Sequence, residues 1–402
     1  SSGNFQNDID LQVNEVERNG FTDDEKDRIL LSSIQDSLAK RRLLSPAESI
    51  NALTIGALHR DESVSWPLAN RLDLAPVSNF ISPINRIGWG FRRSIKPEIY
   101  FPGGRQLYQK PASSRTTQYK LSKGALAPGL SAATDSINQN NHTTHSRGTS
   151  NATALATRAA VQIYVVLQEL RNQGQSISPQ YEAVLMKTLL VHGARQLPET
   201  KTRIGAHINS LGITSRQRKK EAARLLGYGA PVIERVLKCT EQRATVIGCD
   251  EIHENEAHEY EFPIPSSLSG QQYKRWLTVT LSWFTPINPK HRNLREAKLS
   301  IEATHLNAEN TPLYLSRMDA DHNQVLRGTV QHEVFEGDAA IKTFVENNSI
   351  KVRVVCKKDA VSRLDEAIPY GLAVTLEVEE GINVPIYQQV KQAIQTRVSI
   401  SS

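Results

Sequence analysis

The sequence predicts an α/β portion over residues 1–240 followed by an antiparallel β-sandwich over residues 245–402. Two observations carry this. In the first part, short apolar runs of strand length alternate with longer runs at helical spacing, the longest being the helix expected from Ala154 to Leu170. After about Ala244 the apolar period becomes two. Leu277, Val279, Leu281 and Trp283 alternate with Thr278, Thr280 and Ser282, and Leu372, Val374, Leu376 and Val378 alternate with Ala373, Thr375 and Glu377.

In order along the chain, Phe5 to Gly20 is polar and reads as a loop. Thr22 and Glu25 have capping-box spacing, and Ile29, Leu30, Ile34 and Leu38 give one apolar face, so a helix is expected down to Arg42. Ala52 to Leu58 reads as a short buried strand, and Ile95 to Gly104 as a brief strand between prolines that ends in a Gly-Gly turn. Gln109 to Arg147 is rich in Ser, Thr, Asn and Gly and reads either as disorder or, equally, as a long functional loop leading to a serine site. Ser178-Pro179 opens a further helix, Arg216 to Arg224 is a basic surface stretch, and Val232 to Leu237 gives a short helix. Ile350, Val352, Val354 and Cys356 mark another alternating strand, and Tyr387 to Val398 a terminal helix or tail.

Composition removes several function classes. No apolar run approaches the roughly 18 residues of a membrane span, and the net charge of +6 is spread along the chain, so nucleic-acid binding is not indicated. The three cysteines, Cys239, Cys249 and Cys356, have neither metal-ligand spacing nor a disulfide framework, which suits a reducing compartment. The only methionines are Met186 and Met318, and no signal peptide precedes Ser1-Ser2-Gly3-Asn4; the chain reads as the later part of a longer polypeptide.

The chemistry centres on Gly148-Thr149-Ser150 at the mouth of the long helix. A glycine permits a tight turn, and a serine at a helix N-terminus meets free N–H groups and the positive dipole end, which favour a developing anion. Such a serine serves either as a nucleophile with an oxyanion donor or simply as a helix cap.

Gly148-Thr149-Ser150-Asn151-Ala152 resembles the nucleophile motif of the subtilisin-like serine proteases. Ser1-Ser2-Gly3-Asn4 resembles their oxyanion-asparagine segment, Asn51 to Ala57 their "naltVGA" strand, and Lys96-Pro97-Glu98-Ile99 with Pro102-Gly103-Gly104 their "KPEI…pGG" segment. Leu189 to Ala194 and Gly227-Tyr228-Gly229 match later signals, so the resemblance covers about residues 1–240. It implies the second half of a doubly wound parallel-sheet catalytic domain. Residues 262–265 and 277–289 resemble the sandwich that follows the protease in large prokaryotic, intracellular members, which are often encoded beside an AAA-type ATPase.

The resemblance implies a serine endopeptidase in which Ser150 is the nucleophile and Asn4 holds the oxyanion, with Gly148 and Thr149 completing the motif. Ser1, Ser2 and Gly3 would line a wall of the substrate pocket. The family's aspartate and histidine precede its oxyanion asparagine and match no position here, so the chain alone is expected to be inactive without an N-terminal half. It also implies a protein or peptide substrate, a cytoplasmic location, no redox or nucleotide cofactor, and leaves structural calcium open. The alternative reading is a pseudo-protease acting as a binding or regulatory module for an ATPase.

Histidines within the chain are candidate substitutes for the missing base. His142 and His145 precede Ser150 on its loop, with Asp135 as an imaginable orienting group; the family brings its base from a separate helix. His192 reads as a packed core histidine, and His253 and His258, among Glu251, Glu254, Glu256 and Glu259, as part of a solvated acidic loop rather than a metal site.

Overall fold

Ile55–His59 is the central strand of the first half, with all five residues buried. It pairs in parallel with Ile99–Pro102, in register from Ile55 opposite Ile99 to Leu58 opposite Pro102, and antiparallel with Phe80–Ile81 on its other side. Gly56 is dictated by this sheet, because a Cβ there would lie 2.3 Å from the ring of Tyr100. Tyr100 itself is buried and its hydroxyl donates to Leu225 O at 2.8 Å.

The computed structural model describes residues 1–61, 63, 68–75, 79–124, 126–134, 143–302, 311–318, 327–344 and 348–400, the last six without their side chains. The chain divides into two compact units: Ser1–Arg158 with Ala194–Pro231, and Ala159–Gly193 with Val232–Ser402. The helix Thr149–Asn172 begins in the first unit, and its residues from Ala159 on are assigned to the second.

In the first unit, the helix Asp23–Asp36 starts as its sequence requires. The Thr22 side chain accepts from Glu25 N, and Thr22 N donates to Glu25 Oε2 at 2.8 Å. Its buried Leu30, Leu31 and Ile34 share a core with Phe80, Ile84 and Ile204. The segment expected as loop, Phe5 to Gly20, instead holds the short strand Ile9–Asp10 and the helix Glu15–Asn19, the latter capped by Asn14 and Glu17 in the same reciprocal way. The loop expected from Gln109 to Arg147 carries the short strands Gln118–Tyr119, Leu130–Ala133 and Thr143–Ser146, the last two paired with each other. The basic stretch is the helix Ser215–Leu226, capped by Thr214 and Gln217.

Lys96 and Glu98 are both buried and form an ion pair of 2.5 Å. Lys96 Nζ also donates to Ala52 O at 2.6 Å, and Glu98 Oε2 accepts from Thr54 N at 2.8 Å. This charged clamp fastens the chain leading into the central strand to the segment that precedes its parallel neighbour.

The second unit contains two antiparallel sheets. Among the described residues one runs Arg243–Ile252, Ile368–Val378, Arg275–Trp283, Val330–Gly337, Ser316–Arg317, and the other Ala257–Pro263, Ser349–Lys358, Ala297–Ile301. Residues of both, together with Ile386 and Val390 of the helix Ile386–Ile400, join one buried apolar cluster. Leu277, Val279, Leu281 and Trp283 face that cluster, as their spacing predicts. The alternate face is not solvated. The helix Glu182–His192 lies on it, and the hydroxyls of Thr280 and Ser282 are buried beneath this helix. This packing is why the compact units cross the sequence division at residues 240–245. Thr188 Oγ1 bonds Ser282 Oγ at 2.5 Å, Lys187 Nζ donates to Trp283 O at 3.0 Å, and His192 bridges Thr280 and Thr375 at 2.8 and 2.6 Å. Polar groups removed from water there are hydrogen-bonded to one another, as burial demands.

The cysteines are free, and burial pushes the Cys356 thiol up to about 12. Among the described residues no helix is long and apolar enough to cross a membrane.

Candidate active site

Ser150 sits in the first turn of Thr149–Asn172, with its surface exposed, while Gly148 and Thr149 before it are buried. The helix is held by an inward row of Ala152, Ala156, Ala159, Ile163 and Leu167. Gly148 has φ +155, and a Cβ on it would come within 2.9 Å of Asn4 Nδ2, so only glycine fits. Gly148 N donates to Gly103 O at 2.8 Å, which ties the turn before the helix to the end of the Ile99–Pro102 strand.

Asn4 arrives from the far end of the sequence. Its Oδ1 accepts from Thr149 N at 2.9 Å and from Thr149 Oγ1 at 3.0 Å, across 145 residues. With Oδ1 occupied in this way, the amide nitrogen is directed to the Gly148 side of the turn. An N–H₂ group fixed at the turn that opens the helix can donate to an oxyanion forming there, without reorganising at the moment of reaction.

The segment around Asn4 is itself anchored. Ser2 N donates to Ile55 O at 2.8 Å, Arg86 N to Gly3 O at 3.0 Å and Phe5 N to Ile84 O at 2.7 Å. The Arg41 guanidinium lies 4.0 Å from the centre of the Phe5 ring. Of the three residues expected along a pocket wall, Ser1 is exposed, Gly3 half-buried with φ +91, and Ser2 fully buried with its hydroxyl lacking a protein partner.

Beside the turn lies a cleft of about 570 Å³, lined by Gln6, Gln106, Lys123, His145 and Arg147 among others. Arg147 holds its rim in place, donating to Gly124 O at 2.7 Å and to Pro128 O at 2.6 Å. His145 lies on Thr143–Ser146, opposite Ser131. Asp135 and His142 lie outside the described residues.

The other histidines have structural neighbours. His192 belongs to the hydrogen-bonded layer of the second unit described above. His253 and His258 lie after and on strands rather than in one long loop, and His258 Nδ1 bonds the Tyr370 hydroxyl at 2.7 Å. Among the described residues no three His, Cys, Asp or Glu side chains gather where they could hold a metal ion.

The sequence reading missed a buried pair in the first unit. His59 Nε2 lies 2.8 Å from Asp73 Oδ1, and His59 Nδ1 faces Gln106 N at 3.3 Å. Burial pushes the Asp73 carboxyl up, but the charge and hydrogen bond of His59, with Ala75 N–H, outweigh it and hold the group below its ordinary value. No spacing rule links a strand-end histidine to an aspartate fourteen residues on; only the fold makes them neighbours.

The subtilase family profile matches residues 1–229, which include every residue of this site. "Uncharacterized protein y4bN" of Sinorhizobium fredii is 26% identical over 253 residues, covering 62% of this chain and 52% of that protein. The chain therefore spans about half the length of this curated relative. The family match extends over more than half of the chain and includes both the Asn4 segment and the Ser150 turn: the chain belongs to the subtilase family.

Proposed function

We propose that Ser150 is the nucleophile of a serine endopeptidase and that Asn4 Nδ2, with Ser150 N–H, holds the oxyanion. The observation that carries this reading is the double bond-in of Asn4 to Thr149, which fixes an amide donor against the turn that presents the serine. In the reaction, Ser150 Oγ attacks the scissile carbonyl and its proton passes to a base. The C–N bond then breaks, the amine leaves with that proton, and water hydrolyses the acyl-enzyme.

In this reading the aspartate and histidine come from a further stretch of the full-length protein, and the chain without it is inactive. Val161, Tyr164 and Val165 support a docking face for that stretch, since they form an exposed apolar stripe at helical spacing on the serine helix. Ser1 and Gly3 belong to the substrate-binding wall, with Ser2 behind it. The two antiparallel sheets sharing one buried cluster we read as a β-sandwich appendage. The reading includes a prokaryotic cytoplasmic location, an AAA-type ATPase partner by analogy with the family, and chemistry that runs on side chains without a redox or nucleotide cofactor.

The test is hydrolysis of an unstructured protein substrate by the full-length protein, its Ser150→Ala variant, and the 402-residue chain alone. Cleavage by the full-length protein that is lost in Ser150→Ala and in the lone chain is expected. Cleavage retained in Ser150→Ala would refute the assignment. Absence of cleavage in every form, with the ATPase still bound, would favour the pseudo-protease.

A further inference from the structure

The oxyanion segment is braced from behind by one side chain that the sequence reading did not single out. Asn85 is fully buried. Its Oδ1 accepts from Ala57 N at 2.8 Å and its Nδ2 donates to Ala57 O at 2.7 Å, so one amide clasps both backbone groups of a central-strand residue. The backbone of Asn85 is paired directly opposite Asn4 in an isolated antiparallel bridge, flanked by the Phe5–Ile84 and Gly3–Arg86 bonds.

These contacts close into a ring. From Asn85 the side chain reaches Ala57, whose Cβ lies 2.4 Å from where a Cβ of Gly103 would be. Gly103 O then accepts from Gly148 N at 2.8 Å, and Thr149, next in sequence, donates twice to Asn4. Asn4 returns to Asn85 through the bridge. The hydroxyl-bearing turn is thus referenced to Ala57 through Gly103, and the amide donor through the fully buried, neutral side chain of Asn85.

We propose that Asn85 is a positioning residue: it sets the distance between the Asn4 amide and Ser150, and so the strength of oxyanion stabilisation. The geometry explains why an amide is needed. Ala57 presents a donor and an acceptor side by side, and only a side chain with one of each satisfies both. A carboxylate would set a second oxygen against Ala57 O, and a serine is too short to reach both groups. A displacement of about 1 Å at a donor of this kind is enough to cost on the order of 100-fold in rate.

The inference rests on Ser150 being the nucleophile, and the experiment separates the two. The rate of phosphonylation by a fluorophosphonate probe is measured on the full-length protein carrying Asn85→Asp, Asn85→Ser, Asn4→Ala, or each Asn85 change combined with Asn4→Ala. All are compared at a temperature where circular dichroism shows them folded, and Asn85→Ser serves if the buried aspartate prevents folding. The expected result is labelling slowed about tenfold or more by either Asn85 change, with little further slowing when Asn4 is already alanine, because Asn85 acts through Asn4. A merely structural role changes stability and leaves the folded protein's rate alone. Wild-type labelling at Ser150 with an Asn85 variant within twofold of it, or equal slowing with and without Asn4, would overturn this inference alone. No wild-type labelling at Ser150 would overturn the nucleophile assignment and the inference with it.

Discussion

Replacing Lys96 by methionine removes one half of a buried ion pair and strands the other. Glu98 would keep only the Thr54 N–H at 2.8 Å, having lost an ammonium at 2.5 Å, and it is 5% exposed, so water cannot replace the lost partner. Breaking a buried pair from one side costs about 3–5 kcal/mol. At about 2–4 °C per kcal/mol for a unit near 200 residues, the melting transition should fall by about 6–20 °C. Adding Glu98→Gln should restore most of the loss. A glutamine oxygen can still accept from Thr54, methionine fills the volume of the lysine stem, and replacing both charges is close to neutral. Calorimetry reads the shift, and hydrogen exchange of residues 52–58 assigns it to the first unit. A single-variant shift below about 2 °C, or a double variant no more stable than the single, would refute the argument that the clamp is buried and paired as described.

Three further outcomes follow from the same geometry. Asn4→Ala should lower turnover by about 10²–10³, the range found for losing one oxyanion donor in a protease of this family, with KM little changed; an equal loss confined to KM would point to substrate binding instead. Asp73 titrates below its ordinary value when folded, so it contributes stability above about pH 4 that is lost as pH falls through the folded value. Asp73→Asn should therefore be less stable at neutral pH and lose less on acidification than the parent, read as urea midpoints at pH 6 and pH 3 (roughly the two sides of the ordinary carboxylate value). Gly229→Ala should destabilise the first unit by about 2 kcal/mol or more, because φ is +108 and the new Cβ would lie 2.1 Å from Arg195 O, a backbone atom that cannot swing aside. An unchanged melting temperature would contradict that packing.

Local rules made much of this legible. Thr22 and Glu25 announced a helix start that the structure repeats atom for atom, and the buried Ile55–His59 strand overlaps the largely apolar segment Ala52 to Leu58. The same capping rule applied to Asn14 and Glu17 marks the short helix Glu15–Asn19, which the polar character of the region had hidden. The alternating Leu277–Trp283 run is the strand its period predicts, and the period alone does not say what covers its polar face, which is buried as well. Thr280 and Ser282 carry hydroxyls because a helix supplying Thr188, Lys187 and His192 covers them, and that partnership spans some ninety residues. In the candidate site, Ser150 and Asn4 were visible through their motifs. Asn85 and the His59–Asp73 pair were not, since each matters only through a backbone or side chain that folding brings beside it.

The most direct test is site-resolved labelling. The full-length protein is treated with a fluorophosphonate, digested, and the modified residue identified by mass spectrometry. The expected result is one adduct per chain, on Ser150, absent from heat-denatured protein and from Ser150→Ala. An adduct on any other serine, or labelling undiminished in Ser150→Ala, would contradict it.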